Sequence, residues 1–169
     1  SWGAVQGLVR DEMGVRVLGD GVPVVVEVSR PTSRDALKPG DRVEVEGASI
    51  EVRSLDAKPP TQEELSRRVR TYRCVVLSES TLTEASLGLA QTSLSGREVT
   101  QKVGAHEATG RVRGVRCRLI SDHVAECLIS VDERVYVREL VTGDGTSPSL
   151  AAALGTRVEC LLADLVEVG

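Results

Sequence analysis

Valine sets the rhythm of the first third of the chain. Over residues 22–29, Val24, Val26 and Val28 fall on one parity and Val25 and Glu27 on the other, the period-two alternation of a half-buried strand. Residues 4–10, 14–18, 42–46 and 49–55 share the bias toward Val, whose branched side chain suits a pleated surface. The spacing predicts five strands, with SRDALKPG at 33–40 as a short helical turn stopped by Pro39-Gly40. The last third repeats the order, with strands expected over 109–120, 123–130 and 133–141. A short helix is expected in TSPSLAAALG (residues 146–155), with Ser147 as N-cap, Pro148 at the first helical position and Gly155 just past the end. Two further strands lie in 156–168, joined near Ala163-Asp164.

Two sequence frames support a repeat. GAVQGL at 3–8 matches GRVRGV at 110–115, and GDRVEVEGASI at 40–50 matches GTRVECLLADL at 155–165, in the same order. Three strands, a helix and two strands is the order of the OB-fold, and Gly3–Leu55 and Gly110–Val168 resemble OB or cold-shock-type small barrels. That resemblance implies an all-β fold with short helices: two tandem five-stranded OB-like Greek-key barrels joined by a helix-containing linker. The domains are then residues 1–58, a linker at 59–104, and residues 105–169. In GRVRGVRCRL the arginines switch parity after Gly114. One bulge at Gly114-Val115 returns Arg111, Arg113, Arg116 and Arg118 to one face and puts Val112 with Cys117 and Leu119 on the other.

Between the barrels, Pro59-Pro60 and Thr61 three before Glu64 mark a helix over about 62–71. Residues 72–77 read as a short strand. The Ser/Thr-rich stretch 78–104 reads as a loop or a partly ordered segment.

Charge and composition narrow the function. The 169 residues carry a net charge of −4, and the excess of acid lies at both ends. Residues 57–104 hold seven Lys/Arg against five Asp/Glu, whereas 1–56 and 105–169 each hold seven against ten. No apolar run reaches bilayer length, so no membrane partner is expected. Cys74, Cys117, Cys127 and Cys160 are irregularly spaced in apolar stretches, which reads as buried reduced thiols and places the chain inside the cell, in cytoplasm or nucleus. A start at Ser1 with no signal peptide reads as a segment of a larger protein.

The candidate nucleic-acid contacts are Arg111, Arg113, Arg116 and Arg118, where a basic stripe can track a backbone, with Tyr136 on a third barrel strand and Arg67 and Arg68 from the cluster Arg67, Arg68, Arg70 and Arg73, which can bind phosphates. Glu63 and Glu64 stand four residues before Arg67 and Arg68, so those two also read as a solvated helix face. Base stacking requires aromatic side chains, and Trp2, Tyr72 and Tyr136 are the whole supply. The aromatic motifs of cold-shock barrels are missing, and Asp11-Glu12 and Asp122 fall in the loops an OB-fold uses for ligands. Cys117, His123 and Cys127 match no zinc spacing, Ser121-Asp122-His123 are adjacent only in sequence, and no phosphate loop is present. The sequence therefore predicts no catalysis, no metal and no cofactor. It favours a non-catalytic module of a larger nucleic-acid-processing factor that docks a protein partner. The alternative is direct RNA or single-stranded DNA binding through the second barrel, and a third reading is a regulatory domain with a small ligand in a barrel mouth.

Overall fold

The computed structural model describes residues 2–7, 14–33, 36–46, 48–55, 58, 61, 63–64 and 67–169. Contacts divide the chain into two units, residues 1–9 with 23–61 and residues 10–22 with 62–169. In the smaller unit β1 (Trp2–Gly7) pairs antiparallel with β3 (Val24–Ser29), from Trp2 opposite Ser29 to Gly7 opposite Val24. Strands β4 (Arg42–Val45) and β5 (Ala48–Glu51) form a hairpin. The turn expected around Gly47, the helical turn expected over 33–40 and the Asp11-Glu12 loop lie wholly or partly outside the described residues.

The larger unit is built on one seven-stranded sheet. Its strands are β2 (Val15–Val17), β6 (Val69–Ser78), β7 (Glu98–Val103), β8 (His106–Ser121), β9 (Val124–Asp132), β10 (Thr146–Ser147) and β11 (Val158–Val168), in spatial order β10-β7-β8-β9-β6-β11-β2. Every pairing is antiparallel except β2 on β11. Two tandem closed barrels are therefore not formed by the described residues. Period-two alternation identifies a strand but not its partner. The short β2, read as part of the first barrel, instead pairs with a strand almost 150 residues away, and residues 156–168, read as two strands joined near Ala163-Asp164, carry the single strand β11 from Val158 to Val168. The matched frames are not two copies of one unit.

The sheet buries one face. Tyr72, Cys74 and Val76 of β6 alternate inward with Ala125, Cys127, Ile129 and Val131 of β9, joined by Val112 and Val115 of β8 and by Val158, Cys160, Ala163 and Leu165 of β11. Helices α1 (Glu84–Leu94), α2 (Val137–Thr142) and α3 (Leu150–Leu154) contribute Leu87, Ala90, Leu94, Val137, Leu140, Val141 and Leu150 to the same core. Helix α1 occupies the stretch read as a loop. Thr83 caps it by accepting from Ser86 N while Ser86 Oγ accepts from Thr83 N, and Leu82 and Leu87 are buried at the staple positions on either side. Ser93 and Thr92 bond back to carbonyls of their own helix, so a Ser/Thr-rich composition is compatible with it. In the span read as helix 62–71, Val69 already opens β6.

Of the two β8 irregularities, one falls between Val112 and Gly114, one residue before the expected Gly114-Val115, and the other between Leu119 and Ser121. Val112 and Val115 are buried, and the four arginines are all exposed. Residues 133–141 are not a strand: β9 ends at Asp132, and Tyr136 is the N-cap of α2, which closes on the left-handed Gly143. Helix α3 is capped by Ser149, whose Oγ accepts from Ala152 N, rather than by Ser147, and it ends as expected at Gly155. Cys117 and Cys127, opposite each other on β8 and β9, form a disulfide, while Cys74 and Cys160 are buried thiols outside any disulfide. Reduced thiols are thus found for only two of the four. No described helix is long and apolar enough to cross a membrane.

Gly145 has φ of 58° and its carbonyl accepts from Lys102 N at 2.8 Å, and a Cβ there would run into the Lys102 carbonyl. Gly145→Ala is expected to lower unfolding stability in urea by more than about 1 kcal/mol. Gly88→Ala, in α1 with open space around it, is expected to raise it by up to about 1 kcal/mol. A Gly145→Ala protein as stable as the parent contradicts this packing.

Candidate functional site

The turn between β9 and α2 is fastened from two sides. From β6, the guanidinium of Arg70, only 2% exposed, donates to Glu133 Oε1 at 3.0 Å, and the Arg68 carbonyl accepts from Glu133 N at 3.1 Å. From β7, Gln101, 1% exposed, uses both ends of its amide: Oε1 accepts from Tyr136 N at 2.7 Å, and Nε2 donates to the Tyr136 carbonyl at 2.8 Å and to Thr146 Oγ1 at 3.1 Å. Beneath the turn, Gly110 of β8 leaves room for Val135, whose Cγ2 a Cβ would strike. A buried polar side chain is retained when its partners are complete, and here the completed set is the backbone of Tyr136.

What the turn presents is a depression of about 560 Å³ lined by His106, Glu107, Ala108, Thr109, Arg134 and Tyr136. Tyr72 is buried and the side chain of Trp2 is not among those described. Tyr136 is therefore the one aromatic ring among the described side chains that solvent reaches. An apolar ring face beside an arginine, an imidazole and a carboxylate suits a flat, polar-edged ligand. On the first turn of α2, Arg138 donates to the Cys160 carbonyl at 2.8 Å and reaches the Gly14 carbonyl at 3.4 Å.

A second polar centre sits on β11. The Asp164 carboxylate has no exposed surface and takes a bidentate pair from Arg16, Nε to Oδ1 at 2.7 Å and Nη2 to Oδ2 at 3.0 Å, with Arg73 Nη2 to Oδ2 at 2.8 Å. The hydrogen bonds from Arg16, then those from Arg73, outweigh desolvation and hold the carboxyl below its ordinary range.

The residues singled out by sequence are spread over these surroundings. Tyr136 lines the depression, but from a helix cap and not from a strand. Arg113 pairs with Asp132 and Arg118 with Glu126, whereas the guanidiniums of Arg111 and Arg116 make no hydrogen bond among the described residues. Arg67 pairs with Glu63, four residues before it, and Arg68 serves through its carbonyl. His123 Nδ1 lies 3.1 Å from the Ser78 carbonyl, and Cys117 and Cys127 are consumed by their disulfide. Arg16, Asp164, Gln101 and Arg138 were not singled out as a site, and Arg73 was read only as a member of the basic cluster with Arg67, Arg68 and Arg70. The available signal was Asp164, a lone charge inside the apolar run CLLADLV.

The profile of the family described as "Pus10, C-terminal" matches residues 4–169. The chain belongs to the Pus10 C-terminal family. A protein of Acidilobus saccharovorans named tRNA pseudouridine synthase Pus10 is 50% identical over 165 residues, 97% of this chain and 40% of that protein. Its namesake in Pyrobaculum arsenaticum is 36% identical over 94% of this chain and 41% of that protein. The chain thus spans about two fifths of these Pus10 relatives. A chain in the crystal structure of a Cbf5-Nop10-Gar1 complex superposes with a TM-score of 0.50 at 16% identity, over 60% of this chain and 30% of that one, a likeness of fold alone. Membership of the Pus10 family replaces the OB and cold-shock resemblance. It also overturns the reading of a non-catalytic docking module without enzymatic function, because relatives matching nearly all of the chain carry an enzyme's name.

Two outcomes follow from this geometry. Gln101→Leu leaves the Tyr136 N–H and carbonyl without their partner, and is expected to cost about 1–3 kcal/mol in urea unfolding; an unchanged midpoint contradicts the clamp. Asp164 has a depressed folded pKa, so its contribution to stability is full above the unfolded value of about 3.9 and is lost as pH falls through the folded value. The gap in thermal midpoint between the parent and Asp164→Asn is therefore expected to be widest near neutrality and to shrink below pH of about 4. A gap independent of pH contradicts the assignment.

Proposed function

We propose that this chain is the C-terminal part of an RNA-modifying enzyme, a tRNA pseudouridine synthase, and that the depression at Tyr136 receives a nucleobase of the tRNA. The observation that carries the reading is the 50% identity over 97% of the chain to a protein of that name. Turning uridine into pseudouridine breaks the bond between base and ribose at N1 and remakes it at C5, so the base has to leave its stack and be held while both bonds change. The fixed Tyr136 turn supports this use, since a ring whose backbone is clamped offers a stacking face with little conformational freedom left to lose. Arg134 and His106 supply polar edges beside it.

On this reading RNA is the partner, met inside the cell where tRNA is. The exposed stripe Arg111, Arg113, Arg116 and Arg118, with Arg67 and Arg68, contacts its backbone. Arg111 and Arg116 are the strongest members, because Arg113, Arg118 and Arg67 have carboxylate partners to leave.

Full-length protein incubated with unmodified tRNA transcripts is expected to form pseudouridine, read by mass spectrometry after carbodiimide labelling. Tyr136→Ala is expected to lower the rate by about 5- to 150-fold, the equivalent of one lost stacking contact of roughly 1–3 kcal/mol, and Tyr136→Phe to retain most of it. No pseudouridine from the parent protein on any tRNA overturns the proposal.

A further inference from the structure

The face of the large sheet that the helices leave uncovered carries a set of cations unrelated to the depression. Arg16 of β2 lies opposite Asp164 of β11, Asp164 opposite Arg73 of β6, Arg73 opposite Leu128 of β9, and Leu128 opposite Arg116 of β8. Residues opposite one another on neighbouring strands share a face, so these five form one row across five strands. Their sequence neighbours Val15, Ala163, Cys74, Cys127 and Cys117 lie in or against the core on the other side. Strands are about 4.8 Å apart, which sets the three arginines at intervals of about 10 Å along a line perpendicular to the strands.

We propose that this row is a binding site for the phosphodiester backbone of RNA lying across the strands, separate from the base-binding depression. The proposal rests on the RNA reading above. Asp164 is covered and does not face the ligand; its two oxygens hold Arg16 and Arg73 in place while their side chains stay 60% and 41% exposed. An arginine has five N–H donors. Arg16 spends two on Asp164 and Arg73 one, which leaves donors on both for the two oxygens of a phosphate. Arg116, exposed and free of any ion pair among the described residues, completes the row. Three arginines against one aspartate give the row a net charge of +2 in a chain of net charge −4. Of the carboxylates on the same face, Glu126 is matched by Arg118 at 2.9 Å, and Glu159 and Glu167 lie opposite Leu77 and Thr71, on either side of the row. Half-buried Val75, Leu162 and Leu128 floor the surface between the arginines. A shelf with cations standing along it fits a nucleic-acid backbone better than an apolar helix.

The test is filter binding of full-length protein to a tRNA transcript across a salt series, beside the pseudouridine assay. Arg116→Gln breaks no contact in the fold and is expected to keep the parent unfolding midpoint. It is expected to weaken tRNA binding about 3- to 10-fold near 0.1 M salt and to reduce the slope of log affinity against log salt by about 1, the signature of one lost phosphate. Arg73→Gln is expected to do the same and Arg73→Lys to restore the slope; if Arg73→Gln does not fold, Arg116→Gln decides alone. Parent protein that neither binds nor modifies tRNA overturns the functional reading itself. Parent protein that does both, with Arg116→Gln and Arg73→Gln unchanged in affinity and slope, overturns the row alone, as does a loss of affinity without a change of slope. Displacement of an acidic polypeptide from the parent by neither tRNA nor salt, with row variants that still bind tRNA normally, assigns the face to a protein and overturns the proposal.

Discussion

A three-residue strand cannot hold itself at the edge of a sheet, and β2 is held by charge. Its ladder with β11 is only three pairs long, and the strand belongs to a part of the chain remote from everything it touches. The bidentate bond from Arg16 to Asp164 fixes it in register. The Asp164 carboxylate, out of water, requires paired cations, so the strand and the buried charge each make the other tenable. Arg73 completes the pairing from the opposite side and thereby ties three strands through one group. The position of Gly14, one residue before β2, and its approach to Arg138 on α2 follow from this anchor.

The depression obeys a different constraint. A turn between a strand and a short helix would be mobile if its backbone faced only water. Here each end is bonded to a buried side chain of a neighbouring strand, Arg70 on one side and Gln101 on the other, so the aromatic ring rides on a scaffold with the rigidity of the sheet. Polar anchors at the edge of the core and an apolar body beneath α1 divide the work: the core sets the strand positions, and the anchors set what the strands display.

Much of this is written locally in the chain, and the parts that are not share one cause. Strands β8 and β9 follow from alternation, the end of α3 from Gly155, and the parity of four arginines calls for a β8 bulge one residue from where it falls. Helix α1 was hidden because Ser and Thr dilute its apolar face, although the Thr83–Ser86 reciprocal cap stands in the sequence. Residues 133–141 alternate like a strand yet turn at Tyr136, because the bonds to Gln101 and Arg70 come from segments more than thirty and sixty residues away. Pairing decides the rest. Val15 and Val17 fit any sheet equally well, and only the match of Arg16 with Asp164 selects β11, a choice that alternation does not encode. The candidate site inherits this limit: Tyr136 could be named from its chemistry, whereas Gln101, Asp164 and Arg73 acquire meaning only from their partners.

The amide of Gln101 stands toward Tyr136 as a peptide unit of an adjacent strand would, with one acceptor and one donor meeting the residue's N–H and carbonyl. A side chain of β7 thus makes the pairing that a strand would make. Such a pairing is only as durable as the amide itself, and side-chain amides hydrolyse on prolonged heating. Deamidation at position 101 would replace the donor with a charged acceptor against the Tyr136 carbonyl. Burial of Gln101 at 1% exposure keeps water from the bond, so the dryness of this corner governs the chemical lifetime of the site as well as its geometry.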